Sequence, residues 1–167
     1  MRFLQDYDRK AAVLYAHQWA YGRNPVFYDY EKLGGDCTNF ASQCIFAGSG
    51  VMNFTPTYGW YYIDANQKAP AWTGVEYLWN FLTRKGVSVG PVGQPCALED
   101  VRPGDLIQLR FQEEGFQHSP IVVFAGRPVT PENVLVAAHS YDANNRPLST
   151  YAYQEARYLH IAGTIRP

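Results

Sequence analysis

Pro103-Gly104-Asp105-Leu106-Ile107-Gln108-Leu109-Arg110-Phe111 marks the point where the chain changes its pattern. Before it, apolar residues recur at three- and four-residue spacings; from it onward they gather in short β-branched or aromatic runs between turn residues. Asp105 is expected to fix the turn at the start of the first run, 106–111, and further runs follow at 119–125, 134–139 and 158–164. Upstream, Asp8 is placed to cap a helix through Ala11, Ala12, Tyr15, Ala16 and Trp19, ending near Gly22 and Pro25. Asp36 precedes a second helix, with Phe40, Ala41, Cys44, Ile45 and Ala47 in helical register as far as Gly48 and Gly50. Thr73-Gly74-Val75-Glu76 reads as a capping box before Leu78, Trp79 and Leu82. Residues 51–72, rich in Tyr, Trp and turn formers, read as a long ordered loop. Helices first and antiparallel strands afterwards predict an α+β domain, with the N-terminal helices packed on one face of an antiparallel sheet.

At 167 residues with no break in composition, the chain is expected to form one domain, residues 1–167. An apolar content of 47% against 17% charged argues against disorder. A net charge of −1 supplies no field to gather nucleic acid or anionic lipid, so neither is an expected partner. No apolar run approaches the roughly 18 residues of a membrane span, so no membrane insertion is expected. Met1 to Arg9 lack the apolar core of a secretory signal. The expected compartment is therefore the cytoplasm as the chain is written, or the cell envelope if a leader belongs to a longer parent.

Three cysteines, Cys37, Cys44 and Cys96, form no CxxC pair, and at least one must be a free thiol or be bonded to another molecule. Cys37 falls in Gly34-Gly35-Asp36-Cys37-Thr38-Asn39-Phe40, where two glycines allow a tight turn and Asp36 caps the following helix. The orphan N–H groups and positive dipole end of a first helical turn favour a thiolate, so a lowered thiol pKa is expected. The same N–H groups are suited to an oxyanion. A small buried residue is the alternative for Cys37, and core packing is expected for Cys44, two turns further along the helix. Cys96 follows Pro95 in a loop without an evident partner.

A histidine partner follows from strand geometry. If 119–125 and 134–138 form a hairpin closed by 126–131, a centred register sets His118 directly opposite His139, on one face of the sheet. One imidazole would take the thiol proton while the other fixes its tautomer. A slip of one residue would put the rings on opposite faces. Asp142 and Asn144 follow closely as alternative third groups. His17 is expected on the surface and His160 as a structural residue of the last strand. Trp60, Tyr61 and Trp72 are expected to line the cleft, although aromatic clusters also build cores.

At these same residues the chain resembles the bacterial putative amidase domain family. The likeness runs through Tyr7-Asp8-Arg9-Lys10-Ala11-Ala12-Val13, Trp19-Ala20-Tyr21-Gly22-Arg23-Asn24-Pro25, the Cys37 segment as far as Cys44, Trp60-Tyr61-Tyr62, His118-Ser119-Pro120-Ile121-Val122-Val123, Ala138-His139-Ser140-Tyr141-Asp142 and Arg146-Pro147-Leu148. A looser resemblance joins it to the NlpC-like and CHAP-like cysteine peptidases and amidases of bacterial cell walls, which share a papain-like core. Asp36-Cys37, Pro103-Gly104-Asp105-Leu106, His118 and His139 match their pattern in order. The resemblance implies a papain-like fold and hydrolysis of an amide or peptide bond through a thioester. Cys37 would be nucleophile, His118 base and His139 orienter, with a small amide or peptide as substrate, cell-wall peptides included, and no cofactor or metal. The rival readings are acyl transfer by the same thiol, a zinc site made of Cys37, His118 and His139, and a catalytically silent binding module. No oligomeric state is assigned.

Overall fold

A computed structural model describes residues 3–112 and 114–167. After a two-residue strand, β1 (Leu4–Gln5), the Asp8 side chain accepts from the Ala11 N–H at 3.0 Å and opens α1 (Arg9–Trp19), as expected. The second helix, α2 (Cys37–Ser49), ends on Gly50, whose φ of 72° suits glycine and whose N–H closes on the Phe46 carbonyl. Every residue from Thr38 to Ile45 is buried, so α2 is an interior helix and not an amphipathic one.

The 51–72 segment carries a small hairpin, β2 (Tyr62–Asp64) with β3 (Gln67–Lys68), before α3 (Pro70–Thr73) and α4 (Val75–Leu82). The expected capping box does not form. Thr73 ends α3 and its hydroxyl accepts from Lys68 Nζ at 3.1 Å, while Gly74 takes the N-cap position of α4 without a side-chain bond.

The remaining strands are β4 (Gly90–Cys96), β5 (Leu106–Arg110), β6 (Ile121–Phe124), β7 (Leu135–Ala138), β8 (Ala143–Pro147) and β9 (Glu155–Ile165). They form an antiparallel sheet in the order β1-β9-β5-β6-β7-β8, with β4 on the other edge of β9. The expected α+β class and antiparallel sheet are present. Three strands of this sheet were not expected, β1, β4 and β8. β4 contains Pro91 and Pro95, which argue against a strand in sequence, but it pairs only with β9 and tolerates proline as an edge. Cys96 therefore closes a strand instead of lying in a loop.

Side chains alternate across the sheet. Leu106, Ile121, Ala137, Leu159 and Ile161 meet Ala12, Ala16, Phe40 and Cys44 beneath the helices. Ile107, Leu109, Val122 and Val136 build a smaller second core on the other face with Leu148. Buried Asp105 ties the two ends of the chain to the sheet. Its Oδ1 accepts from Arg9 Nη1 at 2.7 Å and from the Ile161 N–H at 2.8 Å. Its Oδ2 accepts from the Arg102 N–H at 2.8 Å and meets His160 Nδ1 at 3.0 Å. Asp105 does hold the turn, and His160 has the structural partner expected of it.

The β6–β7 register corrects the centred hairpin. Ile121 pairs Ala137 and Val122 pairs Val136, with a shift before Phe124 pairs Leu135. Continued toward the start of β6, this ladder sets Ser119 and not His118 opposite His139. The connection closes asymmetrically, because Thr130 to Val134 fold into a turn of their own: the Val134 N–H bonds the Thr130 carbonyl and Asn133 Oδ1 accepts from the Thr130 N–H. His118 instead bridges Leu109 and shares its face, while His139 keeps the helix-side parity of Ala137. Among the described residues, no helix is long and apolar enough to cross a membrane.

Candidate active site

Gly34 and Gly35, at φ of 95° and 104°, turn the chain into α2 through a conformation that side-chain-bearing residues avoid. A Cβ at Gly35 would also stand 3.4 Å from Ser140 Oγ. Asp36 occupies the N-cap position but makes no side-chain cap bond, contrary to the expected role. Its Oδ1 accepts from the Tyr30 N–H and from Asn39 Nδ2, each at 2.9 Å, and its Oδ2 accepts from His139 Nδ1 at 2.7 Å. The aspartate thus clamps the start of α2 to the end of β7, and its own N–H donates to Ser140 Oγ at 3.2 Å.

His139 is consumed by this clamp. Its Nε2 lies 2.9 Å from the Trp19 carbonyl oxygen and 3.1 Å from Arg23 Nη1, and its ring stacks on Phe40 with centroids 4.0 Å apart. It makes no hydrogen bond to His118, so the expected base–orienter pair is not assembled; the register slip has put the two rings on opposite faces. The alternative third groups are engaged elsewhere. Asp142 accepts from Arg23 at 2.9 and 3.2 Å, and Asn144 Oδ1 accepts from exposed His17 at 2.8 Å.

Cys37 is the first residue of α2, free and partly buried. Its Sγ sits 3.7 Å from Thr38 Oγ1 and 3.7 Å from the Gln117 carbonyl oxygen, to which it can donate. The thiol therefore meets the backbone of the residue just before His118. Burial pushes the thiol above its ordinary value, outweighing the hydrogen bonds that favour the thiolate, and the Asp36 carboxylate adds to the rise. The expected lowering is thus reversed, because desolvation of a sulfur anion exceeds what a few N–H groups return.

His118 is buried, and burial first, then the nearby charge of Arg146, holds its imidazole down at about 4. At neutral pH the two groups meet as thiol and neutral imidazole. No hydrogen bond joins them, and the His118 ring nitrogens make none to any described residue. The ring lies between Phe111 and Tyr151, at centroid distances of 6.3 and 5.6 Å. Cys37 and His118 both line a cavity of about 580 Å³, walled by Phe111, Tyr141 and Tyr151 and carrying Arg146. Cys37, His118 and His139 do not converge as a zinc set, and among the described residues no three metal-ligating side chains gather.

The expected aromatic lining is corrected as well. Trp60 and Trp72 are both 0% exposed, with ring centroids 4.8 Å apart in the main core. Their indole N–H groups donate to Ser42 Oγ at 3.1 Å and Asn39 Oδ1 at 3.0 Å. Tyr61 pairs with Phe54 at 5.7 Å, away from the cavity. Buried hydroxyl and amide partners on α2 drew the tryptophans inward, a pairing no local pattern announces. The cavity residues that sequence reasoning passed over are Phe111, just past β5, Arg146, within β8, and Tyr151, in the connection from β8 to β9. Only Arg146 carried a signal, inside the Arg146-Pro147-Leu148 motif.

A family model described as "Putative amidase domain" matches residues 6–162. The chain is 33% identical over 142 residues to the uncharacterized protein YhbB of Bacillus subtilis strain 168, a match covering 84% of this chain and 43% of that protein. The chain thus spans less than half the length of this curated relative. No solved structure matches it.

Proposed function

This chain belongs to the putative amidase domain family, which points to amide hydrolysis, and we propose that it works as a papain-like cysteine hydrolase on a small amide or peptide. The observation that carries the reading is the shared cavity of Cys37 and His118, in which a thiol at a helix start adjoins an imidazole with no other hydrogen-bond partner. In this mechanism His118 takes the thiol proton as Sγ attacks the carbonyl carbon. The N–H groups at the start of α2 receive the oxyanion. His118 then returns the proton to the nitrogen as the C–N bond breaks, releasing the amine and leaving a thioester on Cys37. Water, deprotonated by His118, attacks the thioester, and the acid leaves as the thiol reforms.

The neutral starting pair makes His118 a general base acting during attack, not the acid half of a standing thiolate–imidazolium pair. His139 enters as a positioning residue: through Asp36 it fixes the turn that presents Cys37. Residues 1–167 are read as one catalytic domain.

The test is a screen of amide and peptide libraries with wild type, Cys37→Ala and Cys44→Ala, with the acyl-enzyme trapped and weighed by mass spectrometry. Cys37→Ala should fold and lose all thioester and turnover; Cys44→Ala, whose sulfur is sealed in the core, should retain activity. Turnover by Cys37→Ala at the parent rate would overturn the mechanism.

A further inference from the structure

Among the described residues, Arg146 is the one charged side chain that lines the Cys37 cavity. Polar and aromatic neighbours hold it in place, and none of those described neutralises it. Its Nε donates to Thr150 Oγ1 at 2.7 Å and its Nη2 to the Thr150 carbonyl at 3.0 Å, and the guanidinium lies 3.6 Å over the Tyr151 ring. Thr150 Oγ1 is itself anchored on the Pro147 carbonyl at 2.7 Å. Among the described residues no carboxylate stands within ion-pair distance of Arg146, and Nη1 makes no hydrogen bond to them. Four arginines are matched to acids, Arg9 to Asp105, Arg110 to Glu155, Arg157 to Glu76 and Arg23 to several at once, and Arg84 is spent on the carbonyls of Phe81, Ser88 and Pro91 away from this cavity. An oriented, unmatched guanidinium in a cavity walled by aromatic rings is a receptor for a planar anion.

We propose that Arg146 is a specificity-determining residue that binds a carboxylate of the substrate, so that the Cys37 cavity selects an anionic amide or peptide over its neutral counterpart. This rests on the reading of that cavity as the site of amide cleavage. One guanidinium balances one carboxylate, whereas a phosphate monoester would bring a charge of about −1.5 to −2 into the same site and leave part of it uncompensated. The carboxylate would also quench the field that Arg146 exerts on His118, so the right substrate strengthens the base that acts on it.

The test needs no knowledge of the natural substrate. N-chloroacetyl ω-amino acids with one to four methylenes before the carboxylate are set against their carboxamides, on wild type, Arg146→Gln and Arg146→Lys. In the labelling step the Cys37 Sγ–carbon bond forms, the carbon–chlorine bond breaks with chloride leaving, and the thiol proton passes to solvent. Each rate is normalised to that protein's rate with chloroacetamide, and the modified cysteine is identified by peptide mass. For at least one spacer the acid should label Cys37 ten times faster than its amide in wild type. The preference should persist in part in Arg146→Lys and vanish in Arg146→Gln. No acid preference at any length, or a preference that survives Arg146→Gln, would overturn the proposal.

Should Cys37 fail to react even with chloroacetamide, the thiol mechanism falls, and calorimetry with the unreactive N-acetyl acids and amides decides for Arg146 alone. Tenfold tighter binding of an acid, lost in Arg146→Gln and partly kept in Arg146→Lys, supports its role; equal affinities of acid and amide refute it.

Discussion

His118 and His139 lie at the ends of neighbouring strands, one residue of register away from facing each other, and their surroundings are opposite. His139, under the helices, has an oxygen acceptor near each ring nitrogen, an arginine beside it and Phe40 flat against it. His118, on the other face, has two tilted aromatic rings beside it and lines a cavity, and its ring makes no hydrogen bond to the described residues. A histidine saturated with partners is a cross-link, since moving its proton would break a buried pair. A histidine with a free nitrogen beside a thiol retains its capacity as a base. On the proposed mechanism proton transfer falls to the second-core face and mechanical support to the helix face, and each half can be broken separately.

The largest effect is expected at His118. Replacing it with Gln should lower kcat by a factor of about 10² to 10⁴, the usual yield of a positioned general base. The melting temperature should not fall, because no hydrogen bond of the ring is lost. Single-turnover measurement of acyl-enzyme formation checks this; an unchanged rate would leave Cys37 without its base. At His139 the order of consequences should reverse. His139→Ala removes the shortest partner of the buried Asp36 carboxylate and leaves Oδ2 with Arg23 Nε at 3.7 Å, which should cost about 1–3 kcal/mol in urea denaturation. Adding Asp36→Asn should return part of that loss. If His139→Ala kept full stability and lost only kcat, His139 would belong to the chemistry after all.

The pH dependence sharpens the same contrast. His118 titrates near 4 in the fold against 6.5 when unfolded, so between these values the unfolded chain holds the extra proton. Stability should therefore be fully present above pH 6.5 and decline as pH falls toward 4, by about 3 kcal/mol in total. Denaturation midpoints measured from pH 4 to 7 should show this slope in wild type and a shallower one in His118→Gln. The acid limb of kcat/KM should likewise lie well below 6.5 if, as proposed, the neutral imidazole is the base. Alkylation of Cys37 should still be rising at pH 9, because burial holds its thiol above that value. A rate that levelled off in the acid range would indicate a standing ion pair instead.

How much of this was legible follows from where each signal resides. Asp8, Gly50 and the spacing along α1 and α2 are local signals, and those helices stand where the sequence put them. The thiol at residue 37 was equally local. What failed depended on a partner far along the chain. The pairing of His118 with His139 turned on a ten-residue connection whose turn sits off centre, and one residue of slip reversed a face. Trp60 and Trp72 went inward because Ser42 and Asn39 offered their indoles acceptors inside the core. The lowered thiol pKa failed because a helix start is readable from sequence and the depth at which it is buried is not. β4 was hidden by prolines that are costly in a central strand and harmless on an edge.

The smallest effect is expected at Asp142, and for that reason it discriminates well. Asp142 and His139 stand three residues apart and both contact Arg23, so either could pass for a third catalytic group on sequence spacing. Their environments separate them. Arg23 also reaches Asp29 at 3.2 Å and Glu31 at 3.3 Å, so losing one acid leaves the guanidinium still matched. A pair at the surface of this kind contributes at most about 1 kcal/mol. Asp142→Asn should therefore move the urea midpoint slightly and leave kcat/KM within twofold of the parent. A tenfold fall in kcat with stability intact would mean that Asp142 acts on His118 during turnover, and the division of labour between the two faces of the sheet would have to be redrawn.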